Sequence, residues 1–457
     1  MNTKSATPAS LANPVADGQF SHRRSSSAHR GQWAPLPGAN PSAPDHPAGL
    51  GQAPDVPEQP RDVALLLNIG HALDHLFLLI FATAVGAIAL EFGFSRWEDL
   101  MPYSVGAFLL FGLGAVPAGR LGDLWGRRPM MLVFFFGLGA AALLTALAQG
   151  PWQLAGGLAL IGLFAAIYHP VGIPMLVQRA RRPGVVIGVN GLAGNLGVAG
   201  AALLTGFLVQ WWGWRAAFAV PGLISLVCGV VFALRCGPEG PAPGRTRKPP
   251  QVVLSPSDLT RALFVMTAAA ITGALLFNFT TNGNTQFLSE RFDGLIQDPV
   301  MIGMLLAAIY TLASLTQVVV GHWIDKIPLK RLYFFIVLAQ IPWLALAAVA
   351  SGWWLFVALL GVMVFIFGSI PFTDAMIVKY VDDSMRSRVA GVRLAVSFGV
   401  SSLAVWLLGP VVKASSFASL FLAMTIIAAA TAALVLLLPS EAQVSEAKRI
   451  GAEGSPE

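Results

Sequence analysis

Cysteine is almost missing from this chain of 457 residues, and charge is scarce. Cys228 and Cys236 are the only two cysteines, on one apolar run, and their spacing corresponds to about 12 Å along a helix axis, too far to bridge. A disulfide framework and a cysteine metal site are both excluded. Asp, Glu, Lys and Arg make up 11% of the residues against 55% hydrophobic, and the mean hydropathy is +0.68, which excludes an ordinary water-soluble domain. No Gly-x-x-x-x-Gly-Lys-Ser/Thr run occurs, so ATP is not expected as the energy source within the chain. The net charge of +6 does not point to nucleic acid, because the basic residues are dispersed over short segments between apolar runs. Residues 1-60 lack the apolar core of a secretory signal; rich in Pro, Ser, Ala and Gly, they read as a disordered cytoplasmic tail.

From Val63 onward, apolar runs recur at 63-90, 101-120, 129-149, 152-177, 185-210, 215-236, 260-288, 300-321, 330-350, 353-379, 388-411 and 415-438. Each is close to the roughly 20 residues a helix needs to cross about 30 Å of hydrocarbon. The expected fold class is an all-α membrane protein with twelve transmembrane helices. A Pro-rich, basic linker at 237-258 separates the regions 61-236 and 259-438, and 439-457 forms a cytoplasmic tail. With the N-terminus inside, 25 of the 29 Lys and Arg fall on one side and only Arg96, Arg215, Arg291 and Lys413 on the other. That asymmetry satisfies the positive-inside rule and places both termini of a multi-pass chain in the cytoplasm; the expected location is the cell membrane, a bacterial inner membrane.

Between spans 2 and 3 lies a hydrophilic knot, Gly119-Arg120-Leu121-Gly122-Asp123-Leu124-Trp125-Gly126-Arg127-Arg128, and a variant returns from Gly321 to Arg331. Gly119 pairs with Gly321 and Asp123 with Asp325 at one fixed offset, and Gly188, Val189 and Gly206 find counterparts in Gly391, Val392 and Gly409. The chain reads as two related halves. It resembles here the major facilitator superfamily of secondary transporters, whose loop between helices 2 and 3 carries Gly-x-x-x-Asp-x-x-Gly-Arg-Arg/Lys. The resemblance implies two pseudo-symmetric six-helix bundles that work by alternating access. It also implies a gate formed by Gly119, Asp123, Gly126, Arg127, Arg128, Gly321 and Asp325, with Asp123 reaching helix 11 and its Arg386, Arg388 and Arg393. The second copy departs from the pattern at Pro328 and Leu329.

Span 1 carries Asn68, His71, Asp74 and His75, which at about 100° per residue share roughly a third of the helix circumference. Ionisable groups at mid-membrane are costly and face a cavity or a partner. Span 4 adds Tyr168-His169-Pro170, where the proline frees a carbonyl and the histidine can point into the bundle. Three histidines and an aspartate on facing helices can form a proton relay, a site for a polar or anionic solute, or a metal site; hydrogen bonding between helices is the plainer alternative. Span 5 has glycines at 188, 191, 194, 197 and 200, a groove that admits a facing helix. In span 7, Asn282-Gly283 is a turn signal that predicts a broken outer gate. Asp374, beside Pro371 in span 10, is expected to pair with Lys379.

The span 1 histidine and polar residues, the aromatic-His-Pro of span 4 and Gly194-Asn195-Leu196-Gly197 together are similar to the fosmidomycin-resistance exporters of the same superfamily. His75 and Val171 stand where that branch has acids. The expected function is therefore secondary active transport and not enzyme catalysis: proton-coupled efflux of a drug-like or toxic compound, with Asn68, His71, Asp74, His75, His169 and Asn282 as the solute- and proton-handling candidates. This reading assigns no metal and no cofactor; the partners are a small-molecule solute, protons and the lipid bilayer, and the protein is a monomer. Uptake of a small organic anion or metabolite is the alternative within the class. A membrane sensor is the alternative outside it, and it calls for a folded output domain that Pro/Ser-rich tails do not offer.

Overall fold

A bilayer core offers no water to peptide N–H and C=O groups, so apolar runs of this length must satisfy them internally, as helices do. The computed structural model describes residues 59–180, 183–238, 254–324, 326–381, 383–440 and 443. The expected N-terminal tail before 59, linker residues 239–253, Asp325, and all of 441–457 except 443 lie outside the described residues, as do the side chains of Arg386 and Arg388.

Among the described residues, eleven helices are long and apolar enough to cross a membrane. The one from Gly184 to Arg235 has 52 residues, about 78 Å at 1.5 Å per residue. It holds a non-helical residue, Gly213, at φ 79° and ψ 169°, a backbone state that glycine reaches without a Cβ penalty. The long helix is two spans around a glycine turn, which restores the expected twelve. The spans are α1 (Arg61–Glu91), α2 (Val105–Trp125), α3 (Arg127–Ala146), α4 (Pro151–Val177), α5 (184–212), α6 (214–235), α7 (Pro256–Arg291), α8 (Pro299–Ile324), α9 (Leu329–Val349), α10 (Gly352–Tyr380), α11 (Asp383–Ala414) and α12 (Phe417–Val435). Two 3-10 turns, Trp97–Asp99 and Met101–Ser104, lead into α2.

Prolines decide where spans change course. Pro170 lies in a π-helical turn, Tyr168–Gly172, inside α4, and Pro371 opens the second segment of α10 after Ser369, as expected of a residue without an N–H. The break expected at Asn282-Gly283 does not form: α7 runs unbroken from Pro256 to Arg291. Thr280, Thr281 and Asn282 turn their side chains back to carbonyls of their own helix, and Gly283 packs against Leu408 and Phe417. Tertiary burial overrides the local turn signal.

Close crossings carry the packing. A methyl group at Gly197 would lie 2.1 Å from the Ala72 carbonyl oxygen of α1, and one at Gly112 2.5 Å from Phe398 Cβ of α11. Gly206 and Gly303 bring α5 and α8 together in the same way. The groove on α5 is therefore used in part: Gly194 and Gly197 admit α1, whereas Gly188 meets open space. Exposed tryptophans mark the two ends of the bundle, Trp152, Trp211, Trp212, Trp353 and Trp354 at one and Trp125 and Trp323 at the other, the positions aromatic side chains take at membrane interfaces.

Candidate functional site

The polar stripe of α1 faces α4 and α5. His71, Asp74, His75 and His169 each offer one ligand-type atom, and all four atoms lie within 4.8 Å of one another. His75 Nε2 is 3.2 Å from His71 Nε2, and His169 Nε2 is 3.5 Å from Asp74 Oδ2. Asp74 is wholly buried and neither carboxylate oxygen has a hydrogen-bond partner. Burying a carboxylate at mid-membrane costs about 3 kcal/mol on insertion scales, so the His169 ring beside it is its electrostatic counterweight when protonated. The π turn widens α4 at His169 and aims its imidazole across to α1; such turns are frequent at functional sites.

A second layer holds these rings. His71 Nδ1 donates to the Asn190 carbonyl oxygen at 2.7 Å, leaving Nε2 to face the cluster with its lone pair in the neutral ring. Tyr168 stacks on His71, with ring centroids 4.7 Å apart and planes 12° apart, donates to the Leu67 carbonyl at 2.7 Å and accepts from Asn190 Nδ2 at 2.7 Å. Asn190 Nδ2 also donates to Asn68 Oδ1, so Asn68 belongs to this supporting layer. Gly194 makes room for the histidines: a methyl there would sit 2.7 Å from His71 Cε1 and 2.9 Å from His75 Cδ2. Asn190 escaped notice in the sequence, although it lies one turn before Gly194 on the glycine-bearing helix. Asn282 lies apart from the cluster, with its amide on the Asn278 carbonyl of α7, in a polar layer where Asn278 reaches Ser401 of α11 and Asn284 reaches Tyr310 of α8.

The cluster borders the second half of the chain. Phe398 of α11 packs on Phe111 at a centroid distance of 4.5 Å, and both rings stand edge-on to His169. His169 keeps 21% of its side chain exposed and His75 is half-buried, whereas Asp74 keeps none, so the cluster is approached past these two imidazoles.

In this conformation the described residues of the knot after α2 pack within their own half of the chain. Gly119 and Gly122 face Pro170 and Val171 of α4, Gly126 takes φ 93° to turn the chain into α3, and Arg127 hydrogen-bonds to Gln178 and to the Pro174 carbonyl. Arg128 donates to the Cys236 and Ala233 carbonyls at 2.6 and 2.9 Å, capping the C-terminal end of α6. Asp123 is exposed, and among the described residues no hydrogen bond or ion pair reaches it. Arg393, one expected partner, instead contacts Asp374 at 2.8 Å and donates to Thr373 Oγ1. The expected Asp374–Lys379 pair gives way because a five-residue step turns about 140° around a helix, while α11 presents Arg393 directly. Gly321 meets open space, so the second knot makes no close approach there. At the opposite end, absent from the sequence reading, Lys413 pairs with Asp99, Trp97 stacks on Phe417 at 5.9 Å, and the Glu98 carbonyl packs so closely on Gly409 that a methyl there would lie 2.2 Å from its oxygen.

A family profile described as the Major Facilitator Superfamily matches residues 67–296 and 293–456. The chain belongs to this superfamily. Its fold is similar to that of a bacterial homologue of the human lysosomal transporter Spinster, solved in an inward-facing and occupied conformation, at a TM-score of 0.63 and 14% identity over 86% of this chain and 97% of that one. In sequence it is 31% identical over 213 residues to a probable actinorhodin transporter of Streptomyces coelicolor, covering 44% of this chain and 36% of the relative. It is 29% identical over 197 residues to a tetracenomycin C resistance and export protein of Streptomyces glaucescens, covering 41% and 36%. The chain thus aligns with about a third of the length of these curated relatives. It is a multi-pass membrane protein of the superfamily's all-helical fold.

Proposed function

We propose that the protein is a secondary active transporter that exports a small drug-like or toxic compound across the bacterial inner membrane in exchange for protons. It works as a monomer with both termini cytoplasmic, its halves at 61-236 and 259-438 rocking about the cavity between them. The observation that carries this reading is Asp74, fully buried in a transmembrane helix with neither oxygen hydrogen-bonded, 3.5 Å from His169 and within reach of two more histidines. A proton gained or lost here changes a charge that the bundle must accommodate, and Phe398 of the second half packs against the same group. Protonation therefore favours one orientation of the halves and deprotonation the other.

The arrangement supports an inward-facing state. Asp99, Trp97, Lys413, Gly409 and Phe417 close the end assigned to the outside, while residues 184, 185 and 187–189 of α5 are exposed at the other. Asp123 is then free to meet α11 when the cytoplasmic side closes. The chemical type of cargo draws support from the relatives described as a probable actinorhodin transporter and a tetracenomycin C resistance and export protein, and export from the second of these.

Cells lacking the protein should accumulate one member of an antimicrobial panel more strongly than the parent, and an uncoupler should erase the difference. Asp74→Asn should abolish movement against a gradient while solute exchange persists. Concentrative transport by Asp74→Asn at the parental rate would overturn the assignment of coupling to this residue.

A further inference from the structure

The geometry points to a binding site for one divalent transition-metal ion of the zinc class at His71, Asp74, His75 and His169. Three imidazole nitrogens and one carboxylate oxygen, with no thiolate, are a donor set suited to Zn2+, Co2+ or Ni2+ and ill suited to Mg2+ or Ca2+, which prefer oxygen shells. Tetrahedral bonds of about 2.0–2.1 Å put neighbouring donors about 3.4 Å apart. The His71–His75 nitrogen pair is separated by 3.2 Å and the His169–Asp74 pair by 3.5 Å, and all four atoms fall within 4.8 Å. Little side-chain movement closes such a shell.

Three further observations favour an ion over a hydrogen-bonded network. Both oxygens of Asp74 are buried without a hydrogen-bond partner, whereas buried polar groups in networks normally find one. His71 gives its Nδ1–H to a backbone carbonyl, the outer contact that orients metal-binding histidines and turns Nε2 toward the ion. Tyr168, stacked on His71 and tied to Leu67 and Asn190, holds that ring in place. His71, Asp74 and His75 come from one helix face, and the fourth ligand comes from the π turn of α4. The partly exposed edges of His75 and His169 provide the approach.

The inference stands on this donor geometry and does not require the transport reading; in that reading, ion and proton would be alternative occupants of one donor set. The full chain, purified in detergent with a tag free of histidine and stripped with a chelator, is dialysed against Zn2+ and separately against Co2+. The parent should retain one Zn2+ per chain, and its Co2+ form should show the intense visible absorption of a four-coordinate ion with nitrogen and oxygen ligands. Replacing His22, His29, His46 and His322 with Ala, which removes every histidine outside the cluster, should leave both signals unchanged. His169→Ala and Asp74→Asn should each weaken Zn2+ binding at least tenfold. No stoichiometric binding by the parent, or binding lost on removing the four outer histidines, would overturn the site. The Co2+ spectrum of the parent decides the matter even if a cluster variant fails to fold. Dialysis measures no transport, so failure here leaves the proposed function standing, and failure of transport leaves the metal site standing.

Discussion

Lys413 Nζ lies 2.5 Å from Asp99 Oδ1, tying the last turn of α11 to the 3-10 turn that leads into α2. Both side chains are more than a third exposed, so the pair contributes no more than about 1 kcal/mol to stability. Its importance lies in which state it favours. Cysteines at 99 and 413 joined by a short bifunctional maleimide should stop transport, with full protein recovery. Unchanged transport by the cross-linked protein would show that this end does not need to open.

The close approach of α1 and α5 makes a second prediction. Gly197→Ala would push a methyl group into the Ala72 carbonyl, a backbone atom that cannot swing aside, whereas Gly188→Ala meets open space. Overpacking of this kind costs about 1–3 kcal/mol. The thermal midpoint in detergent should fall clearly for Gly197→Ala and stay within error for Gly188→Ala. Equal midpoints would mean that the helices separate more easily than their geometry indicates.

Asp123 tests the gate. Its exposed carboxylate touches no described partner in this conformation, so Asp123→Asn should change folding stability by less than about 0.5 kcal/mol. If the group meets α11 when the cytoplasmic side closes, the same substitution should cut transport severely. Loss of both stability and transport would point instead to a structural role, and loss of neither would reduce the knot to a basic turn.

Tyr168 offers a test of the supporting layer. Tyr168→Phe keeps the stack on His71 but removes the bonds to Leu67 and Asn190, leaving buried groups short of partners at a cost of about 1–3 kcal/mol. Chemical denaturation should register that loss. Transport should weaken more than it does for Thr83→Ala, a substitution elsewhere on α1 that removes one bond to the helix's own backbone.

The twelve spans were legible because length and hydropathy act locally: a run of apolar residues in a bilayer has little choice but to be a helix. Even the hidden division of the longest helix, at Gly213, fell where the apolar run is interrupted by Trp211, Trp212 and Gly213. The stripe of Asn68, His71, Asp74 and His75 was legible for the same reason, since helical periodicity alone puts the four on one face. Asn190 was not, because its role depends on which residue of α5 lies opposite His71. The uninterrupted course of α7 through Asn282-Gly283, the choice of Arg393 over Lys379 by Asp374, and the pairing of Lys413 with Asp99 were also hidden. Local hydropathy and helical period were thus enough for the number of spans and for the polar face of α1. Which faces meet was settled by tertiary packing, because a side chain's partner is set by helix crossings between segments far apart in the chain, and those crossings follow from backbone approach at glycines such as Gly112, Gly197 and Gly303.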